Sequence, residues 1–217
     1  MIRLVIVDDH DLVREGIRAL LERDGSFEIV GETGDGQEAV QMARRLRPDV
    51  MLMDVSLPGG MGGLEATETI AAECPDVKVI ILTQYENREY IKRAIRIGAR
   101  GYLIKRSVAA QLRDAIRTVA RGERYLHPLA AEELVDLVTT GRSLAEDDYE
   151  RLTLREKQVF KLLAEGKTSR EIAKYLTISL KTAMTHRANI MAKLNIHSRS
   201  DLIRYAIRKA IIPVDEG

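Results

Sequence analysis

Five polar residues in the first half of the chain directly follow short apolar segments: Asp8, Asp9, Asp54, Thr83 and Lys105. If these segments are parallel strands of one sheet, their carboxyl ends meet at the edge where such sheets bind ligands. Three clustered carboxylates repel one another and require a cation, and Mg²⁺ prefers oxygen ligands of this kind together with a phosphate. One carboxylate could then attack a phosphoryl donor to form an acyl phosphate, while the metal and Lys105 offset the charge of the transferred group.

The other members of this set allow two interpretations. The Thr83 hydroxyl could donate a hydrogen bond to a phosphoryl oxygen and move strand 4 with it. Alternatively, Asp8 and Asp9 only cap the first helix, a common role for aspartate. The coincidence of five chemically matched residues at strand ends favours a phosphoryl-transfer site over capping alone.

Two alternating periodicities predict the elements that position this site. Five apolar runs are typical of buried parallel strands: Leu4–Val7, Phe27–Val30, Val50–Met53, Val77–Leu82 and Gly101–Ile104. Helical patterns separate them, at about 11–23, 36–46, 63–73, 87–97 and 108–121. Strands that alternate with helices predict an α/β domain with a parallel sheet covered on both faces.

The second half of the chain is predicted to be helical. Pro128 opens a helix at about 128–139, and the polar segment Gly141–Glu150 is interpreted as a linker. Thr153 and Thr168 each precede a glutamate by three residues, which predicts capping boxes, and Ser179 and Ser198 are expected N-caps. The helices predicted from these signals span about 154–165, 169–176, 180–194 and 199–210.

A turn of about three residues, Thr177–Ser179, joins the second and third of these helices, as in a helix-turn-helix. On the third helix, Ala183, Ile190 and Leu194 are predicted to face the core. The residues expected to contact DNA phosphates are Lys181, Thr182, Arg187 and Lys193, and those expected at base edges are Met184, Thr185 and Ala188. Met and Ala cannot form bidentate hydrogen bonds with bases, so a thymine methyl group or DNA shape is the expected target. A helical protein-interaction module is the alternative.

Charge divides the chain in the same place. Residues 151–217 carry 14 Lys and Arg against 6 Asp and Glu, whereas residues 1–150 carry 20 against 27. A basic module suits nucleic acid, although solvated surface charge could also divide in this way by chance.

The single cysteine, Cys74, excludes an intramolecular disulfide. A cytoplasmic protein that does not enter a membrane is therefore expected.

Residues 1–125 resemble the receiver domain of response regulators. The resemblance rests on Asp8-Asp9, Met53-Asp54 followed by Pro58, Leu82-Thr83, and Gly101 to Lys105. It implies a flavodoxin-like fold with strand order 2-1-3-4-5 and phosphorylation of Asp54 by a histidine kinase. It also implies that Thr83 and Tyr102 form a switch pair, with the ring turning inward. The implied Mg²⁺ ligands are Asp9, Asp54, the Ser56 carbonyl and, through water, Asp8.

Two features depart from that family pattern. The loop Leu57–Gly63 is one residue longer than usual and contains four glycines, and Gln84 stands where many receivers have a smaller residue. Both lie beside the acceptor, so both bear on how long a phosphoryl group would persist. The four histidines have no metal-ligand spacing, and His10 is expected to be structural.

Residues 152–210 resemble the LuxR-type helix-turn-helix. The carrying residues are Leu152 to Glu156, Leu163 to Lys167, Glu171 to Ala173, Ser179 to Thr182, His186-Arg187 and Lys193-Leu194. Ala183 and Met184 depart from the usual Val followed by a polar residue. The last helix is implied to form the dimer contact on DNA.

These resemblances identify the chain as a member of the NarL/FixJ response regulators of two-component systems. The implied domains are a receiver at 1–125, a helix-containing linker at 126–150 and a four-helix DNA-binding domain at 151–217. Phosphorylation of Asp54 would control dimerisation and sequence-specific DNA binding, with no enzymatic activity beyond self-catalysed phosphoryl transfer to Asp54 and hydrolysis from it. The expected partners are a cognate histidine kinase, double-stranded DNA, a second copy when phosphorylated or DNA-bound, and RNA polymerase as a further candidate.

Two other classes of protein fit parts of the pattern. A Mg²⁺-dependent phosphatase or phosphotransferase could use an aspartyl phosphate, but such enzymes often need a second acid two residues after the nucleophile, where this chain has Ser56. A receiver that signals through protein contacts, with a basic domain that binds protein, is the third interpretation. Salt-insensitive binding would favour it.

Overall fold

The computed structural model describes residues 1–84, 88–126, 128, 131, 148–209 and 211–212 of the 217-residue chain. The chain divides into two compact units, Met1–Gly141 and Arg142–Gly217. The helix predicted at about 128–139 lies outside the described residues except at positions 128 and 131. In the described ranges, none of the helices combines the length and the apolar character needed to cross a membrane.

The first unit contains a six-stranded sheet in which every neighbouring pair is parallel. The strands are β1 Ile2–Val7, β2 Phe27–Thr33, β3 Val50–Asp54, β4 Lys78–Thr83, β5 Gly101–Ile104 and β6 Tyr125–Leu126. Their order is β2-β1-β3-β4-β5-β6, which confirms the predicted 2-1-3-4-5 sheet and adds a strand beyond β5. Two residues are too few to show a strand periodicity, so β6 left no signal in the sequence.

Five helices of the first unit follow the predicted pattern: α1 Asp11–Glu22, α2 Gly36–Leu46, α3 Gly63–Glu73, α4 Arg88–Arg96 and α5 Val108–Ala120. On one sheet face, strand residues such as Leu4 and Leu52 share a buried cluster with Ile17 of α1 and Ile116 of α5. Neighbouring strand residues such as Met53 point to the opposite face and are also fully buried. Burial on both faces explains why β1, β3, β4 and β5 are apolar over most of their length, whereas the edge strand β2 contains Glu28 and Glu32.

The second unit contains four helices: α6 Leu154–Ala164, α7 Ser169–Tyr175, α8 Leu180–Lys193 and α9 Arg199–Arg208. Both predicted capping boxes are present, with Thr153 and Thr168 as N-caps. The Ser179 and Ser198 side chains also accept hydrogen bonds from the first turns of α8 and α9. These caps satisfy backbone N–H groups that have no partner within their helix, so the sequence determined where the helices begin.

The core of the second unit forms where these helices meet. Ala183, Ile190 and Leu194 of α8 are buried in it, as predicted. Phe160 of α6 lies at its centre and contacts two tyrosine rings edge-on, with centroid separations of 5.6 Å to Tyr149 and 5.9 Å to Tyr205. Tyr149 belongs to the segment interpreted as a linker, yet it is 1% exposed and packs in this core. The end of that segment is therefore anchored to the second unit.

Gly63 allows α3 to begin directly against the backbone of β3. A Cβ atom at Gly63 would lie 1.7 Å from the carbonyl oxygen of Asp54, and the Gly63 N–H donates to the Val55 carbonyl at 3.2 Å. Gly36 at the start of α2 has a similar role, because its Cβ would lie 2.4 Å from the Met61 carbonyl oxygen. The glycines thus bring the start of α3 close to the end of β3 and the start of α2 close to the loop that follows it.

Replacement of Gly63 by Ala is expected to destabilise the first unit by about 1–3 kcal/mol, because the added methyl group forces α3 away from Asp54. Urea unfolding of the full chain measures the change. Gly16→Ala is the matched control, since nothing lies within 4 Å of its Cβ and it is inside α1. It should stabilise by about 0.5–1 kcal/mol. Equal stability of the wild type and Gly63→Ala would contradict the close approach.

Candidate functional site

Asp54 ends β3 at the carboxyl edge of the sheet and is 2% exposed. Lys105 follows β5, and its Nζ atom lies 3.0 Å from Asp54 Oδ2 and 2.7 Å from Asp8 Oδ2. The Asp54 carboxylate also accepts a hydrogen bond from the backbone N–H of Ser56. The structure therefore brings together the acceptor, the ammonium group and one acid of the pair after β1, as the strand-end argument predicts.

Burial sets the electrostatics of this pair. It raises the pKa of Asp54 above the usual value, because the attraction of Lys105 is smaller than the loss of hydration, and Asp8 adds repulsion. For Lys105, burial alone would lower the pKa, but the carboxylates of Asp54 and Asp8 together raise it. Lys105 is thus held in its charged form, whereas the charged form of Asp54 is disfavoured until a further positive charge approaches.

Asp9 and His10 complete a cluster around this edge. One ligand atom each from Asp8, Asp9, His10 and Asp54 lies within 4.8 Å of the others. His10 Nδ1 is 2.8 Å from Asp9 Oδ1 and 3.3 Å from Asp8 Oδ1. His10, which was expected to be structural, lies within this cluster, and its position directly after Asp8-Asp9 is the sequence signal for that placement.

The cluster fits a divalent cation. Three carboxylates face the single ammonium group of Lys105, which leaves two negative charges when all of them are ionised. Carboxylate oxygens at this spacing are the hard ligands that Mg²⁺ and Ca²⁺ prefer. The arrangement could therefore hold a metal ion beside Asp54.

Thr83 and Tyr102 lie on the adjacent strands β4 and β5, and β4 is the neighbour of the strand that carries Asp54. Both side chains are buried, and a hydrogen bond joins them. Burial raises the pKa of Tyr102, and the hydrogen bond from Thr83 opposes that rise only in part. The ring is thus inside the domain, in contact with the hydroxyl group that the sequence analysis assigned to the switch.

The glycine-rich loop after β3 packs inward. Gly59 has a φ of 86°, which is a left-handed conformation that glycine adopts without strain. The loop is then buried from Gly60 to Gly63, with Met61 only 7% exposed. Gln84 is exposed at the end of β4. The second half of the loop therefore lies inside the domain.

A second candidate site lies on α8. All seven predicted DNA contacts are exposed on it: Lys181, Thr182, Met184, Thr185, Arg187, Ala188 and Lys193. Three further residues of the same helix are exposed but were not predicted as contacts: Leu180, Asn189 and Ala192. Exposed cations on a capped helix after a short turn form a surface that could contact DNA.

Lys193, the seventh predicted contact, has an intramolecular partner. Its Nζ atom lies 2.7 Å from Oε2 of Glu156, which is 3% exposed. Burial by itself would raise the pKa of Glu156, but hydrogen bonds from Lys193 and Thr153 hold it below its usual value. Lys193 therefore ties the end of α8 to the start of α6.

Asp54→Asn is expected to stabilise the metal-free protein at neutral pH, on the order of 1 kcal/mol, because the variant has no buried carboxylate to ionise. The pKa of Asp54 is higher in the folded protein than in the unfolded chain. The Asp54 side chain therefore contributes its full stabilisation of the fold below the unfolded-state pKa, and this stabilisation is lost as the pH rises through the folded-state pKa. The advantage of the variant should disappear near pH 3. Urea unfolding with EDTA over pH 3–8 measures it.

Asp76→Asn is the control, because Asp76 is solvent-exposed and its replacement removes the same charge. The advantage of Asp54→Asn should exceed that of the control at pH 7. If Asp54→Asn is less stable than the wild type at pH 7, the attraction of Lys105 outweighs burial and the assignment is wrong.

Two family models match the chain. The response regulator receiver domain matches residues 4–117, and the luxR family of bacterial regulatory proteins matches residues 150–206. The first match contains the whole acidic cluster, Thr83, Tyr102 and Lys105. The second contains all the exposed cations of α8.

Relatives match over nearly the full length. The oxygen regulatory protein NreC of Staphylococcus carnosus is 39% identical over 214 residues, which cover 97% of this chain and 99% of that protein. The transcriptional regulatory protein LiaR of Bacillus subtilis is 41% identical over 213 residues, which cover 98% and 100%. RcsB from Salmonella enterica serovar Typhimurium, in a structure bound to a promoter with the phosphomimetic BeF₃⁻, is 27% identical with a TM-score of 0.59, covering 94% and 97%. The chain therefore belongs to the NarL/FixJ family of response regulators, in which a receiver domain is joined to a LuxR-type DNA-binding domain that regulates transcription.

Proposed function

We propose that a histidine kinase phosphorylates Asp54 in the presence of Mg²⁺, and that this modification controls dimerisation and sequence-specific DNA binding. The observation that carries the proposal is the set of charged groups around Asp54. A buried carboxylate lies within 3.0 Å of an ammonium group and beside two further acids. The same chain carries an exposed basic helix in its second unit, and phosphorylation could control the binding of this helix to DNA.

Asp54 is the proposed nucleophile. A carboxylate oxygen of Asp54 attacks phosphorus, the phosphorus–nitrogen bond of the donor phosphohistidine breaks, and the histidine nitrogen retains the electron pair. The product is an acyl phosphate on Asp54. Lys105 stabilises the charge of the transferred group because its ammonium group already lies beside the acceptor.

The proposed Mg²⁺ ligands are Asp9, Asp54 and the Ser56 carbonyl, with Asp8 acting through water. When bound, the ion supplies the positive charge that offsets the carboxylates and the phosphoryl oxygens. Asp8 shares the Lys105 ammonium group, which supports an outer role for it. Hydrolysis of the acyl phosphate at the same site would reset the protein, with the buried glycine-rich loop restricting the approach of water.

Thr83 and Tyr102 would transmit the modification. A phosphoryl group on Asp54 offers a charged acceptor to the Thr83 hydroxyl, which now contacts Tyr102. Movement of Thr83 toward that group would change its hydrogen bond with the tyrosine ring. The switch would thus act through β4 and β5, on which these two residues lie.

The domain boundaries follow from the same proposal. We place the receiver at residues 1–125, the linker at 126–150 and the DNA-binding domain at 151–217. The family matches at 4–117 and 150–206 support this division. Because Tyr149 packs in the second core, the linker ends against the DNA-binding domain.

On α8 the proposed contacts divide by chemistry. Lys181, Thr182 and Arg187 would contact phosphates and supply affinity, whereas Met184, Thr185 and Ala188 would reach base edges. Lys193 is also proposed to contact a phosphate, but it would have to share its ammonium group with Glu156. We therefore rank it as the weakest of the phosphate contacts.

The proposed partners are a cognate histidine kinase, a second copy through α9, and RNA polymerase at the promoter. The relatives support the DNA and dimer assignments, because one RcsB structure is described as two dimers bound to two parallel DNAs. The proposal includes a reducing, cytoplasmic setting, in keeping with the single buried cysteine, Cys74.

Phosphorylation is expected to raise DNA affinity at least tenfold. Acetyl phosphate with Mg²⁺ should do so in the wild type and have no effect on Asp54→Ala, because the variant has no acceptor. Fluorescence anisotropy with a duplex selected by the phosphorylated protein measures binding. Asp76→Ala, which removes an exposed acid, is the control and should respond like the wild type. Equal affinities in all conditions would refute the switch, while DNA binding itself would stand.

The phosphate contacts are tested by salt dependence. Lys181→Ala and Arg187→Ala should each reduce the slope of log K against log salt by about 1. Lys193→Ala should reduce it less and should instead cost about 1 kcal/mol of stability, because Glu156 loses its partner. Arg100→Ala, an exposed cation of the receiver, should leave the slope unchanged. If Lys193→Ala lowers the slope as much as Arg187→Ala does, our ranking is wrong.

A further inference from the structure

We infer that the recognition helix α8 reads thymine methyl groups in the major groove, with Met184 as the specificity-determining residue. The inference rests on the proposed DNA binding and names what that surface recognises. Hydrogen bonding to bases, apolar contact and DNA shape are the three general sources of specificity. The side chains of α8 support apolar contact as the source of specificity.

The exposed face of α8 carries large apolar side chains. Met184 is 56% exposed and Leu180, one helical turn earlier, is 42% exposed. Lys181 and Arg187 are exposed on the same helix. Exposed apolar groups rimmed by polar residues are typical of a contact surface. The adjoining cations make DNA the partner that this surface suits best.

The three side chains proposed to meet base edges have no available donor. Met184 and Ala188 contain none. The Thr185 hydroxyl donates to the backbone carbonyl of Lys181 at 3.0 Å, so its proton is already used within the helix. Guanine presents acceptors at N7 and O6 and is normally recognised by paired donors, which these residues cannot supply.

The thymine methyl group is the feature of the major groove that an apolar side chain can recognise directly. Met184 is well placed for it, because the first residues of a recognition helix contact base edges and Met184 is the fifth residue of α8. Its flexible, polarizable thioether adapts to a small apolar group. Reading a narrow minor groove would instead use inserted cations, and the Met184 side chain is uncharged.

Asn189 offers a different route to the same base pair. Its amide is exposed near the end of α8 and could form a bidentate pair with adenine. A preference for A·T pairs alone would therefore not distinguish the two residues. Replacement of thymine by deoxyuridine does, because it removes only the methyl group and leaves adenine and all base-pair hydrogen bonds intact.

The experiment uses the full chain phosphorylated with acetyl phosphate. A randomised duplex pool is selected for binding, and each thymine of the selected site is then replaced singly by deoxyuridine. We expect at least one position at which the replacement weakens binding about fourfold, the effect of losing one buried methyl group. Met184→Ala should bind the thymine and uracil duplexes equally at that position.

Three variants serve as controls. Met184→Leu keeps an apolar side chain of similar size and should keep the thymine preference. Leu154→Ala removes another exposed apolar side chain of the same unit, on α6, and should also keep it. Asn189→Ala should leave the thymine-to-uracil ratio unchanged even if it lowers affinity. Circular dichroism confirms that each variant is folded.

Each outcome decides between the two proposals. If no duplex is enriched, the proposed DNA binding fails and this inference fails with it. If a site is selected but no uracil replacement weakens binding, DNA binding stands and the inference is overturned. A uracil effect that persists in Met184→Ala overturns it as well, because another group then reads the methyl.

Discussion

The candidate site of the first domain depends on two buried carboxylates, Asp54 and Asp8, that share the ammonium group of Lys105. Asp54 and Asp8 both lie within 3.0 Å of Lys105, and two further groups of the cluster, on Asp9 and His10, stand beside them. The sheet fixes this arrangement because three different strands end there. Burial raises the pKa of Asp54 and Asp8 adds repulsion, so the charge state of this site depends on what binds to it. A small ligand can therefore have a large effect on this edge.

The second domain separates affinity from specificity in its chemistry. Exposed cations on α8 suit the DNA backbone, whereas Met184 and Ala188 are apolar and the Thr185 hydroxyl is already hydrogen-bonded within the helix. Lys193 shows that positive charge on a helix is not by itself a DNA contact, because its ammonium group also stabilises the buried Glu156. If these residues contact DNA as proposed, binding strength and sequence choice depend on different residues of this one helix.

Much of this molecule could be predicted from the sequence because it depends on element order and local capping. The convergence of Asp54, Thr83 and Lys105 follows from parallel topology alone, and Thr153 and Thr168 fix helix starts through residues three positions away. Other features depend on distances in the folded chain. The contact of α3 with the Asp54 carbonyl requires Gly63, and Glu156 meets a lysine 37 positions away. The Thr185 hydrogen bond depends on a side-chain rotamer, which no periodicity records.

Three aromatic rings of the second core connect its first described segment with its last helix. Tyr149 precedes α6, Phe160 is on α6 and Tyr205 is on α9, and the Phe160 ring is edge-on to both tyrosines. Each edge-on pair contributes about 0.5–1.5 kcal/mol beyond the area that the rings bury. Because both pairs share Phe160, loss of that ring would weaken the segment before α6 and the helix α9 together. The two are therefore expected to unfold as one cooperative unit.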